Sequence, residues 1–97
     1  MALTPHQKSY LRGLAHSHKP VVLLGDAGLT DGVVEAVDRA LLDHELIKVR
    51  LRRPEDKQAL AEALAARSHA TLCGLIGHTV ILYKPHPKKP KLHLPKE

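Results

Sequence analysis

Apolar positions change period several times along this chain, and each change marks an element. Near the start, Tyr10, Leu11 and Leu14 fall at helical spacing and are expected to face a core. Thr4 is a good N-cap, Pro5 suits the first helical position, and Gln7 completes a Thr-x-x-Gln capping box. Lys8, Arg12 and His16 recur every four residues on a separate stripe, and Pro20 forbids the helix from continuing. Val21 to Leu24 is an unbroken apolar run, which predicts a strand buried on both faces. Gly25-Asp26-Ala27-Gly28 then predicts a sharp loop. Thr30 or Asp31 can cap the following helix, which turns Val33, Val34, Val37, Ala40 and Leu41 inward and Glu35, Asp38, Arg39 and Asp43 outward.

From Glu45 to Arg52 the period becomes two. Ile47, Val49 and Leu51 point one way and Lys48, Arg50 and Arg52 the other, the pattern of a half-buried strand. Pro54 and Glu55 begin a third helix, rich in Ala and Leu, that runs to about Ser68. Thr71 to Ile76 and Thr79 to Lys84 read as two further strands, with Gly77-His78 as a two-residue hairpin turn. The result is an α/β fold: a single domain in the order α-β-α-β-α-β-β, with helices on a four-stranded mixed sheet. Crossovers through helices imply parallel pairing, and the closing hairpin is antiparallel. The domain is expected over residues 1–84. Residues 85–97, with Pro85, Pro87, Pro90 and four lysines, read as an extended basic tail that can form neither helix nor central strand, and the pattern leaves open whether it is ordered.

Composition narrows the function. The 97 residues suit one domain, and the core must be aliphatic because Phe and Trp are absent and there are two Tyr. Fifteen Lys and Arg against ten acids give a formal charge of +5, an excess that suggests a polyanionic partner but by itself fits a solvated surface equally well. No long apolar run, basic amphipathic helix or signal-like N-terminus points to a membrane, so a cytoplasmic location is expected. The single Cys73 excludes an internal disulfide and reads as inert core.

Two features carry candidate chemistry. Gly25-x-x-Gly28, between a strand and a helix, lets the backbone turn tightly and lets a phosphate approach bare N–H groups; the next helix N-terminus adds a favourable dipole. Nucleic-acid-binding KH domains clamp backbone with such a loop, although by itself the motif is weak, since two glycines at this spacing usually mark only a tight turn, and Asp26 opposes an anion. The row of Lys48, Arg50 and Arg52, with Arg53 adjacent, contains no acid and calls for solvent or an anion to neutralise it. Eight His residues include no His-x3-His pair and Cys73 has no nearby Cys, so no metal is expected. No nucleophile elbow, Walker loop or dinucleotide fingerprint is present, so neither cofactor nor catalysis is expected. The scarcity of aromatics argues against binding single strands by base stacking.

Several blocks together resemble a known family. Leu11 with Gly13-Leu14-Ala15-His16, Lys19-Pro20-Val21-Val22-Leu23-Leu24-Gly25, Gly28-Leu29-Thr30, His44-Glu45-Leu46-Ile47-Lys48-Val49 and Ile76-Gly77-x-Thr79-Val80-Ile81-Leu82-Tyr83 are similar to the CRM domain. This is the chloroplast RNA splicing and ribosome maturation module, here in its stand-alone bacterial, YhbY-like form. The resemblance runs from Leu3 to Lys84. It implies a shape related to the C-terminal domain of translation initiation factor three. It also implies RNA binding without catalysis, and association with precursors of the large ribosomal subunit. The family loop maps onto Gly25, Asp26, Ala27 and Gly28, with Asp26 where a base is frequent; Lys84 stands where an Arg commonly follows the Tyr.

The expected protein is therefore a monomeric, RNA-binding factor of ribosome assembly that recognises backbone and shape. Its site comprises the Gly25–Gly28 loop with Lys8, Arg12, Lys19, Lys48, Arg50, Arg52 and Lys84. A general nucleic-acid chaperone and a module docking an acidic protein are the alternatives.

Overall fold

A computed structural model describes residues 3–96; the first two residues of the expected domain and the last of the expected tail lie outside the described residues. The elements follow in the order α1 (Pro5–Ala15), β1 (Val22–Leu24), α2 (Asp31–His44), β2 (Leu46–Leu51), α3 (Lys57–Arg67), β3 (Thr71–Ile76) and β4 (Thr79–Tyr83). They form one domain with a four-stranded mixed sheet ordered β1-β2-β4-β3. β1 pairs parallel with β2, as a helical crossover requires, and β4 lies antiparallel between β2 and β3. The β3–β4 hairpin turns at Gly77, whose φ of 59° needs a glycine in first position of the two-residue turn.

The local signals explain the helix starts. Thr4 and Gln7 make the reciprocal capping box, and Thr30 caps α2 through Val33 N–H. α3 begins later than Pro54 and Glu55 suggest, because Asp56 is the residue whose carboxylate accepts from Ala59 N–H.

Alternation along the strands divides the core in two. On one face Ile47, Val49, Leu51, Val80, Leu82 and Leu24 pack against Val37 and Leu41 of α2 and Ala61, Leu64 and Ala65 of α3. On the other, Leu46, Cys73, Ile81 and Tyr83 pack against Leu11 and Ala15 of α1 and against Leu3. The molecule thus has three layers, with α1 alone on its side of the sheet.

Three expectations fail here. β1 is not buried on both faces: it is an edge strand, and Leu23 is 58% exposed because no helix covers it. Tyr10 is 41% exposed, since α1 buries the Leu11–Ala15 line instead. Glu45 is not strand: it caps α2 with φ 63°, and its side chain is completely buried.

The tail, whose order the sequence leaves open, lies against the domain. Leu92 and Leu94 pack against the α1-side core, and Gln7 Nε2 donates to the Pro95 carbonyl at 2.9 Å. Its prolines keep it out of helix and strand, as anticipated, yet it folds back across the domain.

Candidate nucleic-acid interface

One 11-residue helix is about 16 Å long at 1.5 Å per residue, too short to cover its whole face of the sheet. Register shows what is left open. Leu23, Arg50, Thr79 and Ile76 stand in one cross-strand row from β1 to β3. Arg50 is exposed, as are Leu23 and Ile76, the last at 62%. In the next row Lys48 lies opposite Ile81, and Ile81 opposite Gly74. The groove between this row and α1 is lined by Arg12, His16, Lys48, Ile76, Thr79 and Ile81.

Two cations are held in place there. Arg12 donates from its guanidinium to the Cys73 carbonyl at 2.7 Å, where the β3–β4 register shifts between Leu72 and Gly74. A Cβ at Gly74 would come within 2.7 Å of Arg12 Cδ, so glycine is what lets this side chain cross the strand. Lys48 Nζ donates to the His16 carbonyl at 3.3 Å, a cation at the negative end of α1. Lys48 is therefore half-buried rather than wholly outward, while Arg50 and Arg52 are exposed. Lys8 and Arg12 both act on Cys73. Burial pushes its thiol up to about 11, and the two positive charges offset this only in part. It is inert core at neutral pH.

The Gly25–Gly28 loop closes the same end of the sheet. It is a turn in which Gly28 N–H donates to the Gly25 carbonyl at 3.1 Å, and Gly28 takes φ 77°, a conformation that favours glycine. Neither Asp26 nor Ala27 donates its backbone N–H to another described group, and both residues are exposed. The first turn of α2, by contrast, already holds the Thr30 hydroxyl and the Asp31 carboxylate, so its dipole is served from within the chain. A cleft beside the loop is lined by Gly25, Asp26, Gly28, Arg52, Arg53, Pro54, Glu55 and Leu60. Arg53, at φ 48°, joins Arg52 there; it adjoins the row in sequence but is not among the expected site residues. The signal was its place just after the alternation ends: β2 stops at Leu51, so the next residues need not continue to opposite faces.

The other expected residues lie elsewhere. Lys19 lines a pocket with His18, Val21, His44, Leu46 and Ile47, at the start of β1 rather than its end. Lys84 Nζ donates to the Ser68 carbonyl at the end of α3. Both are at the far end of β2 from the loop, about 20 Å away at some 3.3 Å per strand residue. The structure thus gathers the loop, Arg50, Arg52, Lys48 and Arg12 around one end and its groove and leaves Lys19 and Lys84 apart, while Lys8 acts on Cys73 and does not line the groove.

Charge is sorted by face. Among the described residues, α1, all four strands and the tail carry no acid at all. Asp31, Glu35, Asp38, Asp43, Glu55, Asp56 and Glu62 belong to α2, α3 and the segment before α3. Glu45 is sealed in, and Asp26 is the one surface carboxylate on the loop. Among the described residues the only ion pair joins Arg67 to Asp31 at 2.7 Å, away from the groove. The cations of the α1 side therefore have no carboxylate partner among these residues.

The same chain matches the CRS1 / YhbY (CRM) domain over residues 3–84. It is 43% identical over 93 residues to the Pseudomonas aeruginosa protein PA4753, covering 94% of this chain and 89% of that one. An RNA-binding protein of Haemophilus influenzae is 41% identical over 97 residues, with coverage of 98% and 97%. The solution structure of SAV1595 from Staphylococcus aureus superposes with a TM-score of 0.84 at 33% identity, over 97% of this chain and 100% of that one.

Proposed function

The chain belongs to the CRS1 / YhbY (CRM) domain family, and from that premise we propose that it binds structured RNA by its backbone and catalyses no reaction. The observation that carries this reading is the sorting of charge: Arg12, Lys48, Arg50, Arg52 and Arg53 surround an open sheet end and a glycine turn, with no carboxylate paired to any of them among the described residues. Cations left unpaired repel one another, and a row of phosphates relieves that repulsion while releasing its own counterions. The Asp26 and Ala27 N–H groups supply donors that a phosphate oxygen can reach. Leu23 and Ile76 at the ends of the open row give an apolar surface for sugar edges, and the absence of an aromatic there fits a paired rather than an unstacked RNA. The Haemophilus influenzae relative, named an RNA-binding protein, supports the same partner.

Within this function we assign the chain to assembly of the large ribosomal subunit, acting as a monomer in the cytoplasm, on the strength of the family resemblance. Sedimentation of the protein with large-subunit precursors, followed by crosslinking to their RNA, is the expected result; a protein confined to the top of the gradient would remove the assignment.

The binding surface itself is tested by salt. If about five phosphates are met, log affinity should fall against log salt with a slope of roughly −3 to −5. Changing Arg50, Arg52 and Arg53 together to Gln should weaken all structured RNAs by similar factors and flatten that slope by about 2–3. The fold should persist, since Arg50, Arg52 and Arg53 are exposed. An unchanged slope would place the RNA on another surface.

A further inference from the structure

The tail contains a small, fully satisfied structure. Between residues 85 and 92, Pro85, Pro87 and Pro90 have no N–H, which leaves the N–H groups of His86, Lys88, Lys89, Lys91 and Leu92. Each has an acceptor. His86 N–H donates to Glu45 Oε2 at 2.7 Å, and Lys91 and Leu92 N–H donate to Glu45 Oε1 at 2.7 and 2.9 Å. Lys88 and Lys89 N–H both donate to His86 Nδ1, at 3.1 and 3.0 Å. Glu45 is 0% exposed and holds the segment from its centre. Burial works against its charge, but the three N–H bonds and the nearby His86 outweigh it, and the carboxyl sits below its ordinary range.

What this arrangement presents is charge. Lys88, Lys89 and Lys91 are exposed, and among the described residues none of their ammonium groups meets a carboxylate. An extended tail would need no buried anchor merely to keep three lysines in water. Ordering them beforehand removes the entropy that a flexible basic arm would lose on binding. The anchor also fixes where they are. Glu45 immediately precedes β2, at the end of the strand remote from Arg52, and the Lys84 N–H donates to the Glu45 carbonyl at 2.9 Å. Leu92, Leu94 and the Gln7–Pro95 bond hold the tail to the α1 side, the side without surface carboxylates.

We propose that residues 85–96 form a second, pre-ordered contact for RNA backbone, in which Lys88, Lys89 and Lys91 meet phosphates about 20 Å from those at the glycine loop. The inference rests on the RNA-binding reading above and adds a second point of contact on the same RNA. A duplex long enough to span both ends should bind more tightly than one that reaches only the loop end.

The test uses the full chain and two RNA hairpins, one with a short stem and one with a stem exceeding 20 Å. Lys88, Lys89 and Lys91 together become Gln, a change confined to exposed side chains. The long hairpin should lose on the order of tenfold or more in affinity at low salt, and its salt slope should flatten by about 2–3. The short hairpin should be nearly unaffected. Glu45→Gln removes one acceptor oxygen and keeps every lysine; faster amide exchange at His86, Lys91 and Leu92 together with weaker binding of the long hairpin would confirm that order matters. Equal affinity of parent and Lys-to-Gln variant for the long hairpin overturns the proposal. If the Arg50, Arg52, Arg53 variant weakens both hairpins while the tail variant weakens neither, the second contact fails and the loop surface stands. If neither variant weakens either hairpin, the RNA-binding reading falls and the tail proposal with it.

Discussion

The sheet turns one face to α2 and α3 and the other to α1 and the tail, and the same strands solve the two faces differently. Toward α2 and α3, Ile47, Val49 and Leu51 of β2 are all buried, because two helices cover the strand from end to end. Toward α1, the alternate residues of that strand run Leu46, Lys48, Arg50: buried, half-buried, exposed. The side chains become more polar as the cover of the short helix runs out. The carboxylates follow the opposite rule and sit around the outside of the fully covered face. A sheet with one face closed can thus afford an open, cationic end on the other, since its stability rests mainly on the closed side.

That comparison can be broken most sharply by volume. Leu64 is fully buried among the α2–α3 core, and Leu64→Ala should cost about 2–5 kcal/mol. Leu23→Ala, in the open row, should stay within about 0.5 kcal/mol. Denaturant melts of the two variants check this; comparable losses would mean that the open end is load for the fold rather than surface.

Acid should act next, and only on the α1 side. Glu45 binds its proton more weakly in the folded chain than its ordinary value of 4.5. Its stabilising effect is therefore complete above about pH 4.5 and is lost as pH falls through the lower folded value, because unfolding takes up a proton. Amide exchange at His86, Lys91 and Leu92 should accelerate in acid before exchange in β2 and β4 does, and Glu45→Gln should abolish that separate step. Simultaneous release of tail and sheet would show that the two sides melt as one.

The smallest effect is electrostatic. Asp26 and Glu55 both line the loop cleft beside its arginines, and Asp26 is the one that sits on the glycine turn itself. With the Debye length about 8–10 Å at ordinary salt, Asp26→Lys should tighten structured RNA severalfold and steepen the salt slope. Glu35→Lys, the same charge change on α2, should alter affinity far less. A salt titration of both variants decides it, and equal responses would mean that net charge rather than the face governs binding.

Much of this was legible in the chain. Thr4, Pro5 and Gln7 announced α1, the alternation of Ile47, Val49 and Leu51 identified the half-buried strand, and Gly77-His78 located the hairpin turn. Lys48, Arg50 and Arg52 were legible as a row, and Gly25–Gly28 as a turn. Arg53 was not legible as a site residue, because strand periodicity says nothing about where side chains go once the strand has ended. Charge points to Lys19 and the family resemblance to Lys84, but neither carries distance, and the length of the strand separates both from the loop.

The sequence by itself determined the elements, their order, the aliphatic core and the excess of positive charge, because caps, turns and periodicity act between residues a few positions apart. It also carried the family resemblance. Only the tertiary structure decided that β1 lies at an edge with Leu23 open, that β4 inserts between β2 and β3, and that the carboxylates gather on one side. Above all it decided the fate of Glu45 and the tail. Nothing in the local pattern marks Glu45 as a buried anchor, and a stretch of prolines and lysines has no period that marks it as ordered. Each becomes ordered only by meeting the other across more than forty residues of chain. A buried charge is stable only when donors surround it, and the donors here come from a segment whose own pattern has no period to reveal them.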